Sequence, residues 1–374
     1  MAPLPAHLLA ALPPAELARS PFVDHPVGSG PYRWVRSEPG QFVELAAVED
    51  FFLGRPGIDR VLVRSASDPE ARLNLLLSGQ ADAMDNVPPP LSNLQRVAAH
   101  PDVRLVRVPS PTVGYLLFNQ RDPANPSRPH PILGDPEVRR ALVLALDRRT
   151  IVRAVLGDHG QVPYGPVSPL LWIRYGAGEP VPRNLARARR LLATKGWRDH
   201  DGDGLLDRDG IRLALALNFP NSSGIRRQMA LLVQEQLRHL GVAVELRQFE
   251  FPVYSERRSA GAFDLDFSAA SQDPSPSGLT QSWACDGGSN VAHYCSPRVD
   301  SLFQLAIEGQ GDVAETWHAA LRQIEEDAPA VFLYAPTYVY AVSRRFTNVT
   351  IRPESAWLAL WRWSVAPRGG GASR

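Results

Sequence analysis

The stretch from Gly114 to Arg153 decides the fold: GYLLFN (114–119) has the composition of a strand, and DPEVRRALVLALDRRTIVR (135–153) follows it after a Pro-rich loop. Asp135 is placed to cap a helix that begins with Pro136, and apolar residues then recur at helical spacing. Asp147 restarts the pattern, and Gly157 ends it. The sequence therefore predicts a chain that leaves one packed unit as a strand and enters another through two capped helices.

The region before this stretch predicts a mixture of strands and helices. Residues 32–36 and 42–48 have the pattern of a hairpin, and residues 58–64 predict a further strand. Asp68 is placed to cap a helix that Gly79 ends. Alternation of strand and helix favours parallel strand pairing in residues 1–120.

The region after it is richer in helices. An amphipathic helix over residues 223–240, followed by Gly241 and a strand over 242–249, predicts the helix-to-strand crossover of a second α/β lobe. Residues 330–342 then form one long apolar segment, which predicts a strand. Together these elements predict an α/β protein with two lobes.

Composition excludes several classes of function. The 374 residues carry a formal net charge of +1, which argues against a nucleic-acid partner. No apolar run approaches the roughly 18 residues of a membrane helix. The sequence has no His-Glu-x-x-His, Gly-x-Ser-x-Gly or phosphate-loop pattern, so we expect a binding protein and not an enzyme.

Two signals of cellular location conflict. Residues 1–17 have neither the basic start nor the apolar core of a signal peptide, which predicts no export signal in this chain. Cys285 and Cys295 are the only cysteines, and a close pair in an otherwise Cys-free chain suits an oxidising compartment. We predict a disulfide between them if the protein is exported, and two free thiols otherwise.

Five blocks of the sequence, in this order, resemble the bacterial extracellular solute-binding proteins of family 5, the peptide and nickel class that serves ATP-driven importers. The resemblance covers nearly the whole chain. The blocks are Val27–Tyr32, Leu75–Asp82, the opening stretch Gly114–Arg153, Gly241–Leu246 and Tyr294–Leu302.

The resemblance implies a bilobal α/β fold of the periplasmic-binding-protein type (type II, cluster C) with lobe 1 incomplete. Residues 1–120 would be a lobe 1 remnant, 121–334 lobe 2, and 335–374 the return to lobe 1 with the C-terminal tail. Family members begin with a signal peptide and about half a lobe before the Gly-x-Gly-Pro-Tyr turn. We therefore expect this chain to lack the N-terminal part.

The implied function is solute binding for an ABC importer. The chain would close two lobes around a peptide or peptide-like solute and deliver it to the permease membrane subunits, as a monomer without a cofactor. The family also implies a periplasmic or cell-surface location. The alternatives are a truncated gene product that binds nothing, and a receptor for nickel, haem, a sugar or an opine.

Asp273 is the first candidate for ligand binding. It follows a segment in which Phe263, Leu265 and Phe267 alternate with polar residues, and a carboxylate at such a strand end lies where α/β clefts form. In peptide-binding relatives an Asp in the matching loop pairs with the ligand's α-ammonium group. The alternative is that Asp273 only caps a Pro-rich turn. Ser275 stands where many relatives carry a second Asp.

The residues around Asp273 are further candidates. The segment Ala269–Gln272, which includes Ser271, is placed to bind an extended ligand through its backbone as an added strand. Trp283 is a candidate aromatic wall of the pocket, although core packing is the commoner role of such a residue.

The acidic segment Asp199–Asp209 resembles a calcium-binding loop. Asp199, Asp201, Asp203 and Asp207 occupy positions 1, 3, 5 and 9, but Gly210 stands where the bidentate Glu of position 12 belongs. Because Ca²⁺ takes 6–8 oxygen ligands, this loss weakens the site. A Gly/Asp-rich hairpin without metal is the favoured alternative.

Overall fold

The computed structural model describes residues 4–66, 68–176 and 181–366. The chain divides into two compact units. Unit 1 comprises Met1–Pro88, Leu94–Val108 and Val339–Arg374, and unit 2 comprises Pro89–Asn93 and Pro109–Tyr338. The lobe boundaries that we placed after residues 120 and 334 stay a prediction. None of the helices in the described ranges has the length and apolar character needed to cross a bilayer.

The fold is mixed α/β. Its helices are α1 (Ala6–Leu9), α2 (Pro69–Leu77), α3 (Leu91–Ala98), α4 (Pro136–Ala145), α5 (Arg148–Leu156), α6 (Leu185–Thr194), α7 (Gly224–Arg238), α8 (Phe251–Ser259), α9 (Gly278–Trp283), α10 (Pro297–Ile307) and α11 (Val313–Asp327).

The strands are shorter on average than the helices, and the longest of them, β15, has 14 residues. They are β1 (Tyr32–Glu38), β2 (Phe42–Ala47), β3 (Arg60–Arg64), β4 (Ala83–Met84), β5 (Val103–Pro109), β6 (Thr112–Phe118), β7 (Arg121–Asp122), β8 (Asn125–Pro129), β9 (Gly160–Gln161), β10 (Asp207–Arg208), β11 (Ile211–Arg212), β12 (Ala214–Pro220), β13 (Ala243–Phe249), β14 (Leu265–Ser271), β15 (Ala330–Ser343), β16 (Phe346–Thr347) and β17 (Ser364–Val365).

The opening stretch folds as predicted, as strand β6 followed by helices α4 and α5. The Asp135 carboxylate accepts the N–H of Glu137 at 2.9 Å, and that of Asp147 accepts the N–H of Thr150 at 3.0 Å. Gly157 ends α5 with a φ of +56°, in the left-handed region that favours glycine. The caps therefore fix both helices at the predicted residues.

Unit 2 is built on a mixed sheet in the order β13-β12-β14-β6-β15. Helix α7 crosses from β12 to the parallel strand β13, which confirms the predicted crossover. Strand β6 lies between β14 and β15 and is antiparallel to both. Its alternate residues enter two apolar cores: Leu116 and Phe118 enter one, and Tyr115 and Leu117 enter the other. The sheet is therefore covered on both faces.

Unit 1 contradicts the expectation of parallel pairing in residues 1–120. Strands β1, β2 and β3 form a separate antiparallel sheet, and β4 pairs antiparallel with the end of β15. The connection between β1 and β2 is only residues 39–41, whereas a parallel pair needs a crossover of a dozen or more residues, and residues 48–59 between β2 and β3 contain no helix that could form such a crossover. Two small cores, one around Leu73 and one around Trp363, complete this unit.

His130 and Asp264 link the loop before helix α4 to strand β12. The Nδ1 atom of buried His130 accepts the N–H groups of Ile132 and Leu133, both at 3.0 Å, so the neutral ring carries its proton on Nε2. That atom lies 3.2 Å from Oδ1 of Asp264, whose Oδ2 accepts the N–H of Ala216 at 2.7 Å. Burial opposes ionisation of Asp264, but these hydrogen bonds outweigh it and lower its pKa.

This pKa shift predicts acid sensitivity. The folded protein holds the ionised Asp264 better than the unfolded chain does, where the pKa is about 3.9. The stabilisation is therefore complete above that value and is lost as the pH falls through the lower, folded pKa. We expect Asp264→Asn to lower the free energy of unfolding at pH 6 and to do so less at pH 3, measured by urea denaturation. The exposed Asp286→Asn is the control, and a difference that stays constant over this pH range would contradict the prediction.

Arg139 holds the end of helix α11. Its side chain is buried, and its three nitrogens donate to the carbonyls of Ala328 (3.1 Å), Leu133 (2.9 Å) and Asp327 (3.0 Å). The last carbonyls of a helix have no partner inside it, so a guanidinium group satisfies them and offsets the helix dipole. Burial lowers the pKa of Arg139 to about 10, which keeps it charged at neutral pH.

Removing this guanidinium group leaves several buried carbonyls without a donor. We expect Arg139→Met to lower the free energy of unfolding by about 2–4 kcal/mol, since an unsatisfied buried group costs about 1–3 kcal/mol. Urea denaturation at pH 7 measures it. Arg153→Met, on the exposed side of α5, is the matched control and should stay within about 0.5 kcal/mol of the parent. Equal losses in both variants would contradict the role given to Arg139.

Candidate functional site

Strand β14 carries the predicted ligand-binding segment at its C-terminal end. It pairs with β6 along its whole length, from Leu265 opposite Phe118 to Ser271 opposite Thr112. With β12 on its other side it pairs only at Leu265 and Asp266. From Phe267 to Ser271, β14 therefore has an edge that no other described strand completes.

Asp273 lies just beyond this edge. Its side chain is exposed, and within residues 4–66, 68–176 and 181–366 its carboxylate accepts no hydrogen bond and forms no ion pair. The turn that follows is held by Ser275, whose Oγ lies 2.8 Å from that of Ser277. The turn-capping alternative for Asp273 therefore has no support in the hydrogen bonds of the described residues.

The two residues before Asp273 differ in their contacts. Ser271 is exposed at the last pair of the β14–β6 ladder. The main chain of Gln272 donates to the carbonyl of Pro111 at 3.1 Å, its side-chain oxygen accepts the N–H of Ser168 at 2.6 Å, and its amide nitrogen donates to Pro166. Gln272 thus fixes the strand end to the loop around Ser168, a positioning contact that sequence reasoning missed.

Trp283 belongs to the second core of unit 2. It packs edge-on against Tyr115, Tyr294 and Phe332, with ring centroids 5.4–6.4 Å apart, and is 3% exposed. It borders a cavity of about 10 Å³, which is the size of a single water molecule. Its role as a pocket wall stays a prediction.

A buried ion pair supports β14 from one side. Oδ2 of Asp266 accepts from Nε of Arg258 and from the hydroxyl of Tyr254, both at 3.2 Å, and Arg258 also donates to Ser268 at 3.0 Å. Burial raises the pKa of Asp266, although the guanidinium of Arg258 opposes this. The pair joins α8 to the strand. In the sequence, the sign of this ion pair is Asp266, a charged residue between the apolar residues Leu265 and Phe267.

The acidic segment Asp199–Asp209 folds as a hairpin turn. Carboxylate oxygens of Asp199, Asp201 and Asp203 lie within 4.8 Å of one another and are exposed. Asp207 instead contacts His200 Nδ1 at 2.8 Å.

Much of the charge in this hairpin is already engaged. Asp199 accepts the N–H groups of Gly202 and Gly204, at 2.7 and 3.0 Å. The guanidinium of Arg212 lies 2.5 Å from Asp203 and 3.6 Å from Asp201. The contacts account for the hairpin without a metal, and calcium binding stays a prediction.

Cys285 and Cys295 form a disulfide, with an S–S distance of 2.11 Å. The bond closes the loop that follows α9. Asn290 braces this loop from inside, since its amide nitrogen donates to the carbonyls of Ala284 (2.8 Å) and Tyr294 (2.6 Å) and its oxygen accepts the N–H of Tyr294 (3.1 Å). The sequence had no signal for this use of Asn290.

Comparison with known proteins points to one family. The family model described as bacterial extracellular solute-binding proteins, family 5 Middle, matches residues 1–291. The chain is similar to the oligopeptide-binding protein AppA of Bacillus subtilis, with 29% identity over 97% of this chain and 66% of AppA. It is also similar to protein XP55 of Streptomyces lividans, with 28% identity over 94% of this chain and 63% of XP55. The chain thus spans slightly less than two thirds of the length of these relatives.

Solved structures have the same fold. AppA from Bacillus subtilis, determined in complex with a nonapeptide, matches with a TM-score of 0.84 and 28% identity, over 98% of this chain and 72% of that one. NikZ from Campylobacter jejuni, in complex with Ni(L-His), matches with a TM-score of 0.83 over 96% of this chain and 72% of that one. Its 22% identity supports the fold alone.

The disulfide predicts sensitivity to reductant. Closing a loop of about 10 residues restricts the unfolded chain by about 2–3 kcal/mol in the chain-entropy account. We expect a reductant to lower the unfolding temperature of the parent, and the double variant Cys285→Ser/Cys295→Ser to show the lower value with or without it. Thiol labelling of the unreduced protein should find no thiol, and labelling of both cysteines before reduction would contradict the bond.

Proposed function

The chain belongs to the bacterial extracellular solute-binding proteins of family 5, and on this premise we propose that it is the solute-binding component of an ABC importer and takes a peptide or peptide-like solute. The proposal rests on one observation: β14 ends with a strand partner on one side only, and the Asp273 carboxylate that follows has no partner among the described residues. The similarity to a relative named for oligopeptide binding supports the same class of ligand.

The open edge of β14 fits an extended peptide. The carbonyl of Phe267 already accepts the hydroxyl of Tyr254 at 3.4 Å, but from Ser268 to Ser271 the main-chain groups that face away from β6 have no partner in any described strand. A peptide added there gains main-chain hydrogen bonds that do not depend on its side chains. This mode suits a receptor that accepts peptides of varied sequence. Arg258 and Tyr254 of helix α8 hold the strand in place through hydrogen bonds. The strand is therefore already ordered before a peptide binds, which reduces the entropy lost on binding.

Asp273 would set the direction of the peptide. Its free carboxylate lies where the added strand begins or ends, and an α-ammonium group is the part of a peptide that a carboxylate binds best. Gln272 keeps this carboxylate in place through its bonds to Ser168 and Pro166. The side chain of Asp273 has no competing partner in the described part of the chain, so it is available to a ligand.

Transport would follow from hinge closure. In the proposed mechanism a solute that contacts both lobes favours the closed state over the open one, and the closed receptor docks on the permease. The crossings of the chain near residues 120 and 334 would serve as the hinge. A periplasmic or cell-surface location and a monomeric state belong to the same proposal.

A peptide panel tests this function. We expect di- to nonapeptides to raise the unfolding temperature of the chain and to give binding heat in calorimetry. The comparison set contains nickel with histidine, haem, sugars and opines. If one of these stabilises the chain and no peptide does, that compound replaces a peptide as the proposed ligand. If nothing in the set binds, the chain is a product without receptor function.

Asp273→Asn isolates the role of the carboxylate. A hydrogen bond to a charged group contributes about 1.5–3 kcal/mol, so the variant should bind peptides about 10- to 100-fold more weakly. N-acetylation of the peptide should weaken binding to the parent by a similar factor and have little effect on the variant. Asp286→Asn, also exposed in unit 2, is the control. Unchanged affinity in Asp273→Asn would remove Asp273 from the site while leaving peptide binding intact.

A further inference from the structure

Strand β13 is the last strand on one side of the sheet in unit 2. It pairs with β12 along its whole length, from Ala243 opposite Ala214 to Phe249 opposite Pro220. No other described strand pairs with its outer side. A strand edge of this kind is a template for pairing with another chain unless the protein blocks it.

The main-chain groups of alternate residues in β13 point away from β12. The N–H of Ala243 donates to the carbonyl of Leu213 beside β12, at 2.9 Å, so the odd-numbered residues of β13 face that strand. The residues whose N–H and C=O groups point outward are therefore Val244, Leu246 and Gln248. Within the described part of the chain, only the carbonyl of Val244 among these groups has a partner, the side-chain amide of Gln234 at 2.8 Å.

An identical strand fits this edge in one antiparallel register. Hydrogen bonds between two copies require that outward-facing residues lie opposite each other, so a two-fold axis can pass only through Val244, Leu246 or Gln248. Leu246 is the middle residue of the seven in β13. An axis through Leu246 therefore pairs the whole strand with its copy, and an axis through either of the other two residues pairs less of it.

The central register is also complementary in charge. It places Glu245 of each copy opposite Arg247 of the other, in a pair without main-chain hydrogen bonds, where side chains lie closest. Both side chains are exposed and point to the same face of the sheet, because they are two residues apart. Within one copy they already contact each other at 2.6 Å. Neither of the other two registers brings opposite charges together.

Helix α7 carries an exposed apolar side chain next to this edge. The side chain of Gln234 reaches the outward carbonyl of Val244, so the flank of α7 that carries Gln234 lies on the side of the open edge. Leu231 is one turn away on the same flank and is 53% exposed. A second copy placed along β13 would therefore come close to Leu231.

Leu231 also lies at the height of the axis through Leu246. From Val244 to Leu246 the strand advances about 6.6 Å, which corresponds to about four residues of helix. Helix α7 crosses between the parallel strands β12 and β13, so it runs in the opposite direction to both. The helix residue level with Leu246 is therefore about four positions before Gln234, next to Leu231. Each copy of Leu231 would meet the other near the axis.

We propose that the outer edge of β13 pairs with the same edge of a second copy of this chain, antiparallel and around a two-fold axis at Leu246. Main-chain hydrogen bonds, two cross-strand charge pairs and the contact between two Leu231 side chains stabilise this dimer. All of these elements belong to unit 2. The monomer stays the form that carries out the proposed function, and the dimer is a second form that becomes populated as the concentration rises.

Charge reversal tests the register. Glu245→Arg places like charges opposite each other on both sides of the axis, and so does Arg247→Glu. We expect each variant alone to raise the dissociation constant of the dimer about tenfold in sedimentation equilibrium, because like charges on opposite strands destabilise a pair. An equimolar mixture of the two variants restores both charge pairs, so we expect mixed dimers with an affinity within about threefold of the parent.

Two controls change the net charge by the same amounts at exposed positions of unit 2 outside α7 and β13. They are Asp286→Arg and Arg153→Glu, and both should associate as the parent does. Gln248→Pro is a further variant, which removes an outward N–H and leaves the hydrogen bonds to β12 in place. It should keep the unfolding temperature of the parent and dimerise about tenfold more weakly.

The opposite results overturn the proposal. They are a parent that stays monomeric up to about 1 mM, charge variants that associate as the parent does, and a mixture that associates no better than either variant alone. Association that Gln248→Pro leaves unchanged would place the contact on another surface. None of these measurements involves a peptide, so their failure leaves the proposed receptor function standing.

Discussion

The pairing of β6 with β15 is the interaction on which the rest of unit 2 depends. At Gly114 the ring of Tyr334 lies where a side chain would begin, so any Cβ there would collide with it. This close approach lets β15 pair with β6 through the irregularity between Phe332 and Tyr334. On its other side β6 pairs with β14 as far as Ser271, so the strand that receives β15 also holds the segment that leads to Asp273.

Two buried arginines join helices α4 and α5 to the start of strand β15 and to the residue that ends α11. Arg139 on α4 donates to the carbonyl of Ala328, which ends α11 in the left-handed region with a φ of +48°. Arg148 on α5 donates to the carbonyl of Phe332 inside β15 at 3.1 Å. Buried charges cost desolvation energy unless hydrogen bonds compensate, so both side chains hold the entry of β15 in one position. The stretch Asp135–Arg153 thus anchors the strand that returns to unit 1.

The sequence predicted those parts of the structure that local chemistry decides. The caps Asp135 and Asp147 and the stop at Gly157 act through residues two to four positions away, and all three are confirmed. Contacts between distant segments have no local pattern. Gln272 bonds to Ser168 across 104 positions and Arg139 to Ala328 across 189, and neither residue type signals its partner.

The same limit applies to the candidate site: its local sequence pattern could be predicted, but the contacts between distant segments that surround it could not. Alternating apolar residues predict β14, but its pairing with β12 at only two residues depends on how β12 and β14 diverge beyond Asp266, while β14 stays paired with β6. That divergence leaves the end of β14 without a described strand on one side, which is the feature that the proposed site uses. Buried main-chain groups need a partner, and a strand edge that the fold leaves open must be served by water or by a ligand. Asp266 and Asp273 lie seven residues apart near one strand, yet the first is locked by Arg258 and Tyr254 and the second has no partner in the described residues. The fold therefore uses one carboxylate to hold the strand in place, while the lack of a partner for the other among the described residues is what its proposed role in ligand binding requires.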